Sequence, residues 1–542
     1  MSDKTTTHKQ LRLSVVMIVK NEAENLRISL PAIIDIADEI IILDSGSTDE
    51  SKQVAEAFGA RWFINTQWQG FGKQRQIAQS YATGDWILAL DADEEVTPEL
   101  KKSILTTIAT PPGNTVYGIK RLDFVFDKQI DNPYWGVKAH WRLYPKTFTY
   151  DDNLVHESVV LGNATTEKLA GFLRHHTAPT PHFWLSKRLN YAKTWANNAY
   201  NQNKKIYFYK VIINPIWAFI KQYIIDGRFL QGKYGFIYAC LFTQYTFNKY
   251  AILYDLAHNK AEQIFMRSVE AAKNLPSIDT SAKQSTLSLV MIVKNESKHL
   301  SACLNTVHDL TDEIIILDSG STDDTHKIAL QYGAKYHVNT DWQGFGKQRQ
   351  LAQSYATSDY IIVLDADERL EQPLREAILT VLKQPIQRDK VFSFARVNTF
   401  CGVEIQPRYW YTDKLARLYA NDSFQYSDLE VHESLNQKGK PSITLKGYLP
   451  HITNDNLQHF LLKNIRYSQD WANEKSSRGK NINFISIMFR SWFSFIREYI
   501  IRGDFLSGAY GYILAAASMS YTLNKYLILW VGKNQRRTVV ND

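Results

Sequence analysis

A chain of 542 residues with 44% apolar and 22% charged residues has ordinary globular chemistry, with enough apolar matter for buried cores, which excludes a disordered polymer. Its 63 Lys and Arg against 55 Asp and Glu leave a net charge of +8, which suits anionic ligands or an anionic membrane and is too mild to demand nucleic acid. Three cysteines, Cys240, Cys303 and Cys401, lack paired spacing, so neither a disulfide framework nor a zinc cluster is supported and a reducing compartment is the simplest reading.

The first residues, MSDKTTTHKQLR, are polar and lack the apolar core of a secretory signal, so the expected location is cytoplasmic. Residues 13–19 are a short apolar, β-branched run that predicts a buried strand, and residues 21–34 follow with the helical spacing of Leu26, Leu30 and Ile33. Residues 40–43 predict a second strand, which ends in the polar loop Asp44-Ser45-Gly46-Ser47-Thr48-Asp49 before a helix over 51–58. A third strand at 61–65, a helix at 71–81 and a fourth strand at 86–90 complete an alternation that predicts a parallel sheet with helices on both faces.

In such sheets ligands bind beyond the carboxyl ends of the strands, where Asn21, Glu22, Asp44, Asp91 and Asp93 all fall. Asp91-Ala92-Asp93 places two carboxylates on a turn, able to reach one hard cation that keeps positions open for phosphate oxygens. An isolated acidic turn of this form is common; its place after a buried strand, with Asp44 one strand over, is what points to function. Gly70-Phe71-Gly72-Lys73-Gln74-Arg75 opens a helix with two cations, and helix N-termini attract phosphate. The spacing is not that of a P-loop.

Everything so far occurs twice. Residues 39–49 read EIIILDSGSTD and so do residues 313–323, and the same offset carries WQGFGKQRQ at 68–76 onto 342–350. The period is one domain long, not that of a solenoid repeat. The expected division is a tail at 1–12, a first module at 13–260, a linker at 261–286, a second module at 287–533 and a tail at 534–542.

These residues resemble the nucleotide-sugar half of family 2 glycosyltransferases with the GT-A fold, through the strand ending in Lys-Asn-Glu, the DSGSTD loop, the glycine-then-basic helix and the LDADE turn. More narrowly, WQGFGKQRQ, the later Val155-His156-Glu157-Ser158 and the aromatic, basic tail are similar to bacterial lipopolysaccharide core β-1,4-glucosyltransferases. The resemblance implies two tandem GT-A, Rossmann-like α/β domains, each with a mainly parallel sheet and a C-terminal helical extension. It also implies an inverting transfer of hexose, glucose from UDP-glucose, to the lipopolysaccharide inner core, with Mn2+ or Mg2+ as cofactor.

By the same resemblance Asp44 would contact uracil or ribose, Asp91 would lie near the nucleotide, and Asp93 would hold the metal. Lys73 and Arg75 would meet donor phosphate or sugar. Glu157 takes the place of the family's general base, with His156 as its orienting partner or a phosphate contact, although the family often has Glu-Asp there. Asp151 and Asp152 are nearby alternatives. The second module repeats the set as Asn295, Glu296, Asp318, Lys347, Arg349, Asp365, metal-binding Asp367, His432 and Glu433.

Between the metal turn and His156, Trp135, His140, Trp141, Arg142 and Tyr144 suit either stacking on sugars or a packed β-region. This stretch diverges between the copies, which makes different acceptors plausible, although Arg142 and Tyr144 persist as Arg417 and Tyr419. Residues 206–254 mix aromatic and apolar side chains with lysines, and Asn214-Pro215 is expected to interrupt any continuous helix. With no clean apolar run of about twenty residues, this tail fits helices lying in the interface of an anionic inner leaflet better than a span. Two other readings are a catalytic module paired with a saccharide- or membrane-binding module, and a polyprenyl-phosphate glycosyltransferase, against which the missing spans count.

Overall fold

The computed structural model describes residues 11–132, 137–154, 157–405, 412–427, 435–437, 439–453 and 456–541. The first half runs β1 (Leu13–Val19), α1 (Ala23–Ser29), β2 (Glu39–Asp44), α2 (Ser51–Ala57), β3 (Arg61–Ile64), α3 (Phe71–Ser80) and β4 (Trp86–Asp91). It continues with β5 (Glu94–Val96), α4 (Pro98–Ile108), β6 (Thr115–Val125), β7 (Lys128–Gln129), β8 (Ala139–Pro145) and β9 (Thr165–Ala178). Three helices follow, α5 (Pro181–Asn201), α6 (Phe208–Ile220) and α7 (Gly232–His258), and then α8 (Ala261–Lys273) between the halves.

The second half repeats the order: β10 (Leu287–Val293), α9 (Leu300–Asn305), β11 (Glu313–Asp318), α10 (Thr325–Gln331), β12 (Lys335–Val338), α11 (Phe345–Ser354) and β13 (Tyr360–Val363). Next come α12 (Gln372–Leu382), β14 (Val391–Phe400), β15 (Val403–Ile405), β16 (Asp413–Ala420) and β17 (Ser442–Ile452). The chain closes with α13 (Leu457–Ser477), α14 (Phe484–Ile496) and α15 (Gly508–Asn541).

In the first sheet the order is β3-β2-β1-β4-β8-β6-β9-β5, and the first four strands are parallel. β8 then joins β4 antiparallel, so the sheet is mixed beyond the fourth strand. β1 is an almost uninterrupted buried run because both of its faces are covered. Val15 and Met17 face a core with Leu26, Leu30, Leu100 and Ile104, while Val16 faces the opposite core with Ala78 of α3. The register pairs Val19 with Asp44 and Ile18 with Asp91, which brings the ends of three strands to one edge. The second sheet, β12-β11-β10-β13-β16-β14-β15, repeats this and pairs Val293 with Asp318.

Two local expectations are corrected. The first helix ends at Ser29 instead of reaching residue 34, because Pro31 has no N–H with which to continue it. By contrast, α6 runs straight through Pro215, which lies buried with Val211 and Ala218 where α6 packs on α7. That packing outweighs one missing backbone hydrogen bond, and Ser491 occupies the same place in α14.

The helical extensions of the two halves share one core, with Leu241, Phe247 and Ile252 from the first and Leu461, Ile513 and Leu527 from the second. Its aromatic contacts come in exchanged pairs. Tyr254 meets Tyr510 at 5.9 Å and, 276 positions on, Trp530 meets Tyr234 at 5.4 Å. Phe208 meets Tyr512 at 5.6 Å and Phe484 meets Phe236 at 5.9 Å. Each contact is made twice with the copies swapped, as in an isologous dimer interface, here inside one chain. Asp255 breaks the symmetry: buried, it accepts from the Tyr510 hydroxyl at 3.2 Å and from the Leu457 amide at 3.4 Å, whereas the position matching Asp255 is Val531. Among the described residues no helix is long and apolar enough to cross a membrane.

Candidate active sites

The loop after β2 is held by its own carboxylate. Asp44 is buried and accepts the Ser47 amide at 2.9 Å and the Ser47 hydroxyl at 2.6 Å. Asn21, in the left-handed region at φ 56°, accepts the Thr48 amide at 2.7 Å, so the turns after β1 and β2 are tied together. Asn tolerates that conformation better than most residues. The second module builds the same knot: Asp318 accepts from the Ser321 hydroxyl at 2.5 Å, and Asn295, at φ 57°, accepts the Thr322 amide at 2.7 Å. Beside these loops burial raises the Glu22 carboxyl, with Asp93 adding to the shift. Burial, with Asp367 and Asp365 close by, pushes Glu296 up to about 7.

Behind the edge lies an alternation of carboxylates and guanidiniums. Arg75 of α3 donates to Asp91 and, at 2.9 Å, to Glu157, joining the end of β4 to the loop after β8. Arg142 of β8 donates to Asp91 at 2.6 Å and to Glu94 at 2.8 Å, and Glu94 in turn accepts the Asp91 amide at 3.0 Å. Burial opposes ionisation of Asp91, but the two guanidiniums outweigh it and hold the carboxyl well below its usual range. In the second module Arg349 donates to Asp365 at 2.7 Å, and Arg417 to Asp365 at 2.8 Å and Glu368 at 2.6 Å. Buried charges persist only when paired in this way.

Asp93 faces the edge with a partner that lies far away in sequence. β9 runs between β5 and β6, which sets His175 opposite Glu94 on one side and Asp123 on the other. Its Nε2 is 3.2 Å from Asp93 Oδ2 and its Nδ1 is 2.7 Å from Asp123 Oδ1. Burial disfavours the imidazolium, but Asp123 and Asp93 prevail and raise His175 to about 9. The second module sets His451 Nε2 3.1 Å from Asp367 Oδ2, with Nδ1 2.8 Å from Asn398 Oδ1. A carboxylate and an imidazole at this separation fit a divalent cation as donors. Among the described residues no three His, Cys, Asp or Glu side chains gather to hold a metal by themselves, so such a cation would share its shell with ligand oxygens.

At the start of α3, where phosphate is expected, two backbone amides are already engaged. The Phe71 and Gly72 amides donate to the carbonyls of Leu154 and Asn153 at 3.2 and 3.1 Å. A Cβ on Gly72 would stand 2.0 Å from the Asp151 carbonyl oxygen, so these glycines admit the backbone of the loop after β8. Lys73 reaches Gln76 at 3.2 Å, and Lys347 is exposed. Asp152 accepts from Gln76 at 2.7 Å, while Asp151 accepts from Asn153 at 2.8 Å. Trp135, His156, His432 and Glu433 lie outside the described residues.

Sequence reasoning missed His175, His451, Glu94, Glu368 and the clamping role of Arg142 and Arg417. The signal was present in the repeat: His175 and His451 match at the 276 offset, although the flanking Arg174 and His176 have become Pro450 and Ile452.

A family model described as Glycosyl transferase family 2 matches residues 14–161 and again residues 288–422, more than half of the chain. An uncharacterized glycosyltransferase of Rickettsia felis is 30% identical over 268 residues, covering 47% of this chain and 94% of that protein. A lipopolysaccharide core biosynthesis glycosyltransferase, LpsC, of Rhizobium meliloti is 28% identical over 242 residues, covering 43% and 88%. Among solved structures, residues 1–349 of TarS from S. aureus align at 12% identity and TM-score 0.23, covering 46% of this chain and 93% of that one. Glucosyl-3-phosphoglycerate synthase of Mycobacterium tuberculosis, with Mn2+ and UDP-glucose, aligns at 25% identity and TM-score 0.17, covering 21% and 44%. At these scores neither structure bears on the chemistry of this chain. Both sequence relatives span less than half of it, the length of one copy. With the family model laid once over each sheet and its carboxylate-lined edge, the chain belongs to glycosyl transferase family 2 and is a glycosyltransferase.

Proposed function

We propose that both modules, 13–260 and 287–533 on either side of the 261–286 linker, are active and transfer hexose with inversion from a UDP-sugar, glucose from UDP-glucose, to the lipopolysaccharide inner core. The observation that carries this reading is the recurrence of two charged arrangements. Asp93 with His175 returns as Asp367 with His451, and Asp91 between Arg75 and Arg142 as Asp365 between Arg349 and Arg417. The similarity to LpsC supports the acceptor.

In this reading Asp44 and Asn21 shape the nucleotide pocket, and Glu157, tethered by Arg75, takes the proton of the acceptor hydroxyl. That oxygen bonds to the anomeric carbon as the bond to UDP breaks, with no covalent enzyme intermediate. Asp93 and His175 would hold Mn2+ or Mg2+, which supplies charge to stabilise the departing diphosphate. Glu433 and His432 would have the matching roles in the second module, and His156 would serve as the orienting partner of Glu157 or as a phosphate contact.

The acceptor is taken from the inner face of the bacterial inner membrane, where the protein sits peripherally. Support comes from two exposed apolar strips, one with Ile213, Trp217 and Ile224 and the other with Phe489, Trp492 and Ile500. Trp217 is 56% exposed and Phe489 71%, with Lys210, Lys221, Arg490 and Arg497 nearby in the chain. Such strips fit an anionic headgroup layer.

The test is UDP release and product mass from a panel of UDP-sugars with lipopolysaccharide acceptor, for Asp93→Ala, Asp367→Ala and the double variant. Each single change is expected to remove one transfer and leave a distinct truncated product. If one change abolishes everything and the other nothing, one module only binds saccharide or membrane, and bifunctionality is lost.

A further inference from the structure

The two modules present the same Asp–His pair but back it with different charges. His175 gives its second ring nitrogen to a carboxylate, Asp123, at 2.7 Å; His451 gives its own to an amide, Asn398, at 2.8 Å. The register that makes these contacts is the same in both sheets, pairing Asp123 with His175 and Asn398 with His451. The exchange is therefore one of chemistry on an unchanged frame.

A second exchange has the same sign. After the acidic turn the first module has Glu95, which meets Arg174 at 3.1 Å and His176 at 3.0 Å. The second has Arg369 there, buried, its guanidinium donating to the Ala366 and Glu368 carbonyls of the turn that carries Asp367, at 2.7 and 2.8 Å. Arg174 offsets Glu95 in the first module, and Pro450 in its place leaves Arg369 without a counterpart of that kind in the second. At these two positions the first module is the more anionic, and the turn that carries Asp367 holds a buried cation.

We infer that the two modules hold their divalent cation with unequal strength, tighter in the first, and that Asp123 and Asn398 are the positioning residues that set the difference. This rests on the reading that Asp93–His175 and Asp367–His451 hold a metal. A metal-bound imidazole whose other N–H meets a carboxylate is better oriented and more basic than one that meets a neutral amide, and loss of such a partner typically costs about 10–100-fold in affinity. At a limiting concentration of cation the first transfer then runs while the second waits, which gives the tandem an order of action.

The experiment is a titration of Mn2+ into the full chain, with and without UDP, followed by the electron paramagnetic resonance signal of free Mn2+. His175→Ala and His451→Ala assign the sites. Wild type should show a tight and a weak class, Asp123→Asn should weaken only the tight class by about 10–100-fold, and Asn398→Asp should tighten only the weak one. Should Asp123→Asn unfold, the gain in Asn398→Asp decides alone, because a merely structural role would not produce it. Two equal sites, or two classes indifferent to both exchanges, overturn the inequality and leave metal use standing. No bound Mn2+ with or without UDP overturns the metal-dependent reading as well.

Discussion

The alternation of carboxylates and guanidiniums agrees closely between the two modules, while the groups around it do not. Arg142 and Arg417 reach the matching aspartates at 2.6 and 2.8 Å and the matching glutamates at 2.8 and 2.6 Å. Around them, Glu95 gives way to Arg369 and Asp123 to Asn398. A duplicated site therefore keeps the groups whose buried charges must balance one another, because removing any one exposes the rest to an uncompensated cost. Groups outside that balance diverge even where they are buried, as Arg369 is.

The largest effect should come from breaking the balance itself. Arg142→Met leaves the buried Glu94 without its closest cation and the half-buried Asp91 with Arg75 alone, and should cost about 3–5 kcal/mol, read as a lowered unfolding temperature together with loss of the first module's transfer. Arg417→Met should cost as much in the second. A large loss in one variant beside wild-type melting in the other would show that the two edges are not equivalent.

Next is the fit of the loop after β8 on α3. Gly72→Ala puts a methyl 2.0 Å from the Asp151 carbonyl oxygen, where backbone must yield, at about 1–3 kcal/mol. The first module's product should fall while the second's is kept; unchanged production of both would mean that the loop is not held where the chemistry needs it.

A similar range is expected where the internal two-fold is broken. Asp255→Val copies the second module's Val531 into the first and strands the buried Tyr510 hydroxyl, at about 1–3 kcal/mol. Adding Tyr510→Phe should recover the part of that loss that belongs to the hydroxyl, while the Leu457 and Asn259 contacts of Asp255 stay lost, and the cycle of single and double variants measures the coupling through thermal unfolding. Strict additivity would mean that the polar contact does not join the two halves.

What could be read from the sequence follows the same division. β1, β2 and β4 were legible because a parallel strand covered on both faces is a continuous apolar run, and the positions of Asp44 and Asp91 at its end followed. His175 was not, because a histidine in the half-polar strand β9 carries no local pattern; only the register between β5 and β6 turns it toward Asp93. The close approach of residues 151–154 to the glycines that open α3 was not legible, because local sequence cannot show that a distant backbone lies against them. In the tail, Phe208, Tyr234 and Tyr254 look like Trp217 and Tyr209 in composition. The first three join the core shared by the halves, whereas the last two stay exposed, and only tertiary packing separates them.

The smallest effect tests the comparison at the opposite end of the sheets, where the modules agree again. Burial would raise Glu39, but the Ser14 and Thr83 hydroxyls, the Thr83 amide and Arg61 outweigh it and lower the carboxyl to about 2. Glu313 is lowered to about 2 against the same burial by Lys335, Ser288 and Thr357. A carboxyl depressed in the folded state stabilises above its unfolded value of about 4.5, and that contribution fades as pH falls toward the folded value. Glu39→Gln and Glu313→Gln should therefore melt below wild type near about pH 6, with the gap closing toward about pH 3. Both pairs are partly solvated, so the gap should be small and should shrink further in salt. A gap that stays constant across that range would mean that packing, and not the ionised carboxylate, holds the strand β2 to β1 and β11 to β10, and the likeness of the two modules at this end would then be one of shape alone.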